Sequence, residues 1–451
     1  MASLTAVANL LERGRATRPA VPAQRARGRR IGQQTLVFPS RPRVLAAAAV
    51  AGPKEAIGPL GGYWDRTYPD RLLGERSWER AERRMCLDAA VLALEKAGLE
   101  PADIDLHLGG DLMNQLTCAN FTAVELDIPF LGLFAACATW AAELAVAAMV
   151  TDAGFAGRVL CTTSSHHDTA ERQYRFPTEL GNQRPATSQW TATGAAAAIV
   201  AGNGTGGTGS EGDAAAGRRG PDASAAAEGS PGGQGSRPGG AARARGAGDH
   251  HAAGAPAGES QAARPGQGGQ AASARQSGDR GGGGNRQGAR TVHITHATFG
   301  RVIDMGLTDP FDMGSAMAPA ASDTIRQHLQ DTGRKPGDYG LIVTGDLARY
   351  GQQLLAQLLK EQGYDAEGLL ADCGLMLYDA SQGVYAGGSG TACSGLVTAG
   401  YLLRRLEQGD LQRVLLVCTG CLHSTTTYKQ GETLPTVAHA VALEAGEPGA
   451  V

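Results

Sequence analysis

From Gly202 to Arg290 this 451-residue chain contains no Leu, Ile, Val, Met, Phe, Trp, Tyr or Cys. A segment with nothing to bury cannot offset its own ordering entropy, so residues 202–290 are predicted to be a low-complexity, disordered insertion. The block takes 27 of the 65 glycines and carries ten Arg against seven acids. Charge of either sign is not in excess: a net −3 argues against a dedicated nucleic-acid binder. No secretory signal accompanies the eight cysteines, which lie scattered in apolar contexts and are expected to be reduced thiols of a cytosolic compartment. No second Cys pair or His pair stands at zinc spacing from Cys418-x-x-Cys421, so this CxxC reads as a buried strand end, and no metal or cofactor is expected. The longest apolar run, Pro129–Val150, is Ala-rich and broken by Glu143. It predicts a buried helix rather than a transmembrane segment.

Four regions follow. Residues 1–30, with seven Arg and one Glu, lack the apolar core of a targeting segment and are expected to be a disordered extension. Residues 31–201 form an N-terminal half, 202–290 the insertion, and 291–451 the remainder with the C-terminal half. Two motifs inside the insertion are discounted. Gly202-Asn-Gly-Thr-Gly-Gly207 satisfies GxGxxG but opens no helix, so it fails as a dinucleotide loop. His250-His251 is a single pair and not a metal-binding tract.

The two halves are related. Asp88–Asp111 (DAAVLALEKAGLEPADIDLHLGGD) aligns without a gap to Asp323–Asp346 (DTIRQHLQDTGRKPGDYGLIVTGD), sharing Gly98/Gly333, Pro101/Pro336, Asp103/Asp338 and Gly110/Gly345 among others. Each reads as an amphipathic helix stopped by Gly, a Pro-Asp turn, and an apolar strand running into a Gly-Asp bend. Downstream, Cys137 and Cys393 each open a helix, a Gly/Asp loop, an Arg-Val-Leu strand and a His. A duplicated α/β unit with strands buried between helices is predicted.

Chemistry centres on Cys137. A thiol at a helix N-terminus feels the positive end of the macrodipole, which favours the nucleophilic thiolate. The plainer reading is a small buried hydrophobe.

Several long runs then carry a resemblance: AGPKEAIGPLG (51–61), TSSHHDTAERQYRFPTELGNQRP (163–185), GRVIDMGLTDPFDMGSAMAPAASDTIRQHL (300–329) and YAGGSGTACSG (385–395). They resemble the stage V sporulation protein AD family of spore-forming Firmicutes, over about 31–201 and 291–446. The resemblance implies a thiolase-like fold: two duplicated βαβαβ-type halves in a layered α/β/α/β/α body. It places the block between two directly successive strands, as an insertion at a hairpin. It also implies a soluble protein, peripheral on the spore inner membrane, that works with other stage V sporulation A membrane proteins and binds dipicolinic acid, free or as its calcium chelate, in a degenerate thiolase-like pocket. That role covers uptake into the developing spore and release in germination. A homodimer follows by analogy with other thiolase-fold proteins.

Carried over residue by residue, Cys137 takes the place of the thiolase nucleophile. The synthase His loop matches Thr344-Gly345-Asp346, and the later Gly-rich loop matches Gly388-Ser389-Gly390. A carboxylate beside Cys137 would raise its thiol pKa, the wrong direction for attack. His439 is the remaining candidate partner if the protein is an acyl-thioester transferring or condensing enzyme. The expected ligand-binding set is Asp111, Asn114, Cys137, Thr139, His166, His167, Arg172, Arg175, Asp346, Ser389 and Cys393. These offer helix N–H groups, cations and close backbone approach for a flat dianion. The blander reading of the His166–Arg172 run is a solvated loop whose Asp and Glu balance its bases.

Overall fold

The computed structural model describes residues 29–175, 184–202 and 289–448. The expectations for residues 1–28, for the insertion between 203 and 288, and for both discounted motifs fall outside the described residues.

The first half runs β1 (Arg43–Ala51), α1 (Trp78–Ala97), β2 (Leu106–Gly110), α2 (Thr117–Leu126), β3 (Phe130–Gly132), α3 (Thr139–Asp152), β4 (Arg158–Ser165), α4 (His167–Gln173) and β5 (Gly194–Ala201). The second runs β6 (Arg290–Phe299), α5 (Met313–Thr332), β7 (Leu341–Thr344), α6 (Ala348–Glu361), β8 (Leu370–Asp372), α7 (Thr391–Leu396), β9 (Arg413–Cys421) and β10 (Thr436–Pro448). Helix α7 continues through a π-helical turn, Val397–Leu402, into Leu403–Glu407.

The ends of α1 and α5 show why the repeat folds twice. Ser77 and Asp312 cap their N-termini by accepting from Arg80 N and Ser315 N. Gly98 and Gly333 stop them in the left-handed region, at φ 66° and 67°. A 3-10 turn, Pro101–Asp103 or Pro336–Asp338, then leads into β2 or β7.

Along the sheet the strands lie β8-β7-β9-β10-β6-β1-β5-β4-β2-β3. Each half therefore has the same order, third-second-fourth-fifth-first, with the fifth strand antiparallel to its neighbours. The halves join by a short antiparallel contact, Val44 with Val292 and Arg43 with His293. Helices α1 and α2 cover one face of the first half, and α5 and α6 one face of the second. Helix α3 packs against strands of both halves, with α7 beside it, so the body is layered α/β/α/β/α. Close approach is set by small residues. A Cβ on Gly194 would sit 2.8 Å from the Leu396 side chain, and one on Gly395 would meet Thr163 and Ala196 below 3 Å.

One expectation is corrected. Strands β5 and β6 do not form a hairpin, because β1 lies between them and pairs antiparallel with both. The insertion therefore bridges two parallel strands, and its ends meet different halves of the body. The apolar run from Pro129 divides into β3, the turn carrying Cys137, and α3, with Glu143 fully buried. No helix among the described residues is long and apolar enough to cross a membrane.

Candidate functional site

The segments that follow β2 and β9 and the turn before α3 converge on a pocket of about 410 Å³. The turn that carries Cys137 is held from below. Thr139 Oγ1 accepts from Ala135 N at 3.0 Å and donates to Ala136 O at 2.6 Å, while Ala136 takes a positive φ of 48°. Among the eight free cysteines Cys137 alone is half-buried, the other seven being buried. It lies just outside α3, whose first helical residue is Thr139.

Asp346 closes the site from the second half. Its buried carboxylate accepts from Thr419 Oγ1 at 2.6 Å, Ser389 Oγ at 3.0 Å, Gly390 N at 3.2 Å and the Cys137 thiol. Gln189 Nε2 fixes its backbone carbonyl at 2.6 Å. Gly390 can lie this close because it adopts φ 102°, where a Cβ would stand 2.7 Å from Ser165 Oγ. Burial first, then the Asp346 charge and hydrogen bond, push the Cys137 thiol well above its ordinary range. Burial likewise raises Asp346, against the hydrogen bonds it accepts. The macrodipole argument for a thiolate is thus overturned: desolvation and a facing carboxylate outweigh the helix end.

Around this pair the walls are mixed. Leu112, Phe134, Met313 and Leu422 are apolar, while Asn114, Thr191, Arg175 and His423 are polar. Arg175 donates to Thr191 Oγ1 at 2.6 Å. Burial, reinforced by Arg175, lowers His423 to about 4, so its imidazole is neutral.

The structure therefore brings together Asn114, Cys137, Arg175, Ser389 and Asp346, with Thr139 bracing the turn. It places the other expected residues elsewhere. Asp111 is spent on its own half, accepting from Met113 N and Ala119 N at 2.8 Å. His166 caps α4 and meets Arg71 O through Nε2, and His167 stacks on Trp190 at 3.5 Å. Both are buried, so the solvated-loop reading of this run fails at its start. Arg172 points outward and pairs with Glu79. Cys393 is fully buried, its Sγ 3.4 Å from Gly345 O. His439 lies on β10, packs on Phe299 and accepts from Gly300 N, away from the pocket wall, so it is no partner for Cys137. The pocket histidine is His423, two residues beyond the end of β9. Tyr174, Phe134 and Leu422 were also not foreseen. Cys421 lines the pocket at the buried end of β9, as the strand-end reading of the CxxC requires.

Two halves of one strand order, with a thiol on the turn into a shared central helix, define a thiolase-like protein. Its backbone is similar to 3-oxoacyl-[acyl-carrier-protein] synthase III of Aquifex aeolicus VF5 (12% identity, TM-score 0.45, 89% of this chain and 99% of that one). It is also similar to the synthase III of Pseudomonas aeruginosa PAO1 (14% identity, TM-score 0.46, 90% and 99%). Residues 32–212 and 258–444 match the family model described as Stage V sporulation protein AD (SpoVAD). The chain is 40% identical over 413 residues to Stage V sporulation protein AD of Bacillus subtilis (strain 168), covering 92% of this chain and 97% of that protein. It belongs to the stage V sporulation protein AD family.

Proposed function

We propose that the pocket binds dipicolinic acid without performing acyl chemistry, and that the protein serves as a peripheral component of the spore's dipicolinate channel. The observation that carries this reading is the Cys137–Asp346 pair. Attack on a thioester needs a thiolate, a base and oxyanion donors. Here burial, and after it a facing carboxylate in the place where a synthase would offer a basic imidazole, push the thiol above its ordinary range. What is left is a mixed pocket of about 410 Å³, a size usual for small-molecule sites. Arg175 supplies a cation for one carboxylate, and Asn114, Thr191 and Ser389 supply hydrogen bonds. Phe134, Leu112 and Met313 suit the faces of a flat ring.

Calorimetry with dipicolinate, its calcium chelate and an isomeric pyridine dicarboxylate tests this. Saturable binding with preference for the 2,6-isomer is expected, and equal, negligible heats from all three would sink the reading. His423 favours a second one, acyl transfer, because a neutral imidazole lines the same cavity as Cys137. Incubation with acyl-CoA followed by intact mass decides between them, since an adduct that disappears in Cys137→Ala belongs to the enzyme alone. Docking on stage V sporulation A membrane proteins is part of the proposal, and co-purification from sporulating cells reads it. A homodimer is proposed through the sheet edge at β3, where Leu131 and Phe134 are exposed beside Phe121 and Val124 of α2. Light scattering measures it directly.

A further inference from the structure

A second cavity, of about 380 Å³, shares an element with the first. The two-residue strand Trp190–Thr191 pairs with Gly388–Ser389. Thr191 lines the first pocket and Trp190 the second, as alternating strand residues must. Residues Lys54, Glu55, Arg71, Thr193 and Gln382 complete most of the second wall.

Three features of this cavity have no role in the first site. The Trp190 ring is sandwiched, with the His167 imidazole stacked at 3.5 Å and the Lys54 ammonium 4.2 Å from the ring centroid. Lys54 Nζ also donates to Gln382 O at 2.7 Å, which fixes the cation at the wall. Arg71 brings a second cation, oriented by Asp168 Oδ1 at 2.8 Å. Glu55 is fully buried. Its Oε1 accepts from Thr193 N at 3.0 Å and from the Tyr378 hydroxyl, yet its Oε2 has no hydrogen-bond partner. A buried polar atom left in this way is unusual in a folded protein and marks a place where a partner is expected.

Charge decides what that partner is. Burial raises the Glu55 carboxyl, against the hydrogen bonds it accepts from Thr193 and Tyr378. Burial lowers the Lys54 ammonium, the charge of Glu55 opposes this, and the smaller effect of Arg71 adds to it. With Lys54 and Arg71 both in the wall, an anion gains two charged partners and, with Glu55 as the acid, an O–H at Oε2, whereas a cation would gain neither. We propose that this cavity is a second ligand site, taking a small carboxylate- or phosphate-bearing anion on Lys54 and Arg71 with an anion oxygen at Glu55 Oε2. The site stands independently of the function proposed for the first pocket.

The test titrates the full chain with acetate and with inorganic phosphate at low salt. Saturable one-to-one binding of either is expected, and which of the two saturates assigns the carboxylate or phosphate source. Lys54→Met and Arg71→Gln should each weaken it roughly tenfold or more, the cost of one charge-assisted hydrogen bond. Arg175→Gln in the first pocket should leave it unchanged. A second measurement uses the unaltered chain: the bound anion should slow acetylation of Lys54 by an N-hydroxysuccinimide ester, read by peptide mass. Neither anion saturating, binding that survives both substitutions, or Lys54 acetylation indifferent to the anion overturns the proposal.

Discussion

Asp111 and Asp346 end the same repeated bend in the two halves, and they do opposite work. In the first half the carboxylate turns back on its own chain and ties down Met113 N and Ala119 N at the entrance of α2. In the second it points to the centre, where it gathers Thr419, Ser389, Gly390 and the thiol of the other half. The cysteines divide in the reverse sense. Cys137 opens onto the pocket, whereas Cys393 sits inside α7 and is fully buried. Duplication made two equal frames, and the pocket uses one functional group from each. The lesson is that a repeat fixes where a side chain starts but not what it faces.

The comparison can be broken at four points. The largest effect is expected at Arg175, the cation that the first half contributes. Arg175→Gln should weaken dipicolinate binding about 100-fold by calorimetry, since it leaves a carboxylate without its charged partner. An unchanged affinity would remove the pocket from the proposed function. Next comes Asp111. Asp111→Ala leaves two N–H groups without an acceptor and should lower stability by roughly 2 kcal/mol in urea denaturation. If dipicolinate binding fell in parallel at temperatures where the fold persists, the division of labour between the two acids would be wrong.

The third is chemical. Because the Cys137 thiol is raised, its alkylation should stay slow at neutral pH and climb only above the ordinary thiol range. Asp346→Asn removes the facing charge, lowers the thiol pKa, and moves that climb to lower pH. Alkylation at pH 8, followed by peptide mass, should speed up, about tenfold for each unit by which the thiol pKa falls. No change would mean that burial alone sets the thiol. The smallest effect is at Cys393, whose thiol makes one long hydrogen bond, to Gly345 O. Cys393→Ala should cost about 1 kcal/mol, a small-cavity effect, and leave binding untouched.

Much of the fold was legible. The Gly98 and Gly333 stops, the Pro-Asp turns and the apolar strands into Gly-Asp bends are local signals, and each appears where the pattern put it. The site was legible in part. Cys137, Asp346 and Ser389 came from matched motifs, and Asn114 and Arg175 also line the pocket. The misses share a cause. His166 and His167 read as polar loop donors, but they start a helix packed under the sheet ends, and the Trp190 ring lies flat on His167. His439 read as a C-terminal loop residue, yet β10 carries it in register with Cys418 and away from the cavity. His423 was visible as the last residue of the second repeat, but nothing local told its orientation from that of His166.

By itself, then, the sequence determined the elements, their duplication, the segment with nothing to bury, and the family. Those depend on spacing, composition and short-range backbone preference. Only the tertiary structure decided that β1 separates β5 from β6, that Asp111 is spent on its own half, and that burial is the first cause raising the Cys137 thiol. These outcomes depend on which groups become neighbours across some two hundred residues of chain, and on how completely water is removed around them. Neither distance nor desolvation is written in any local run of residues.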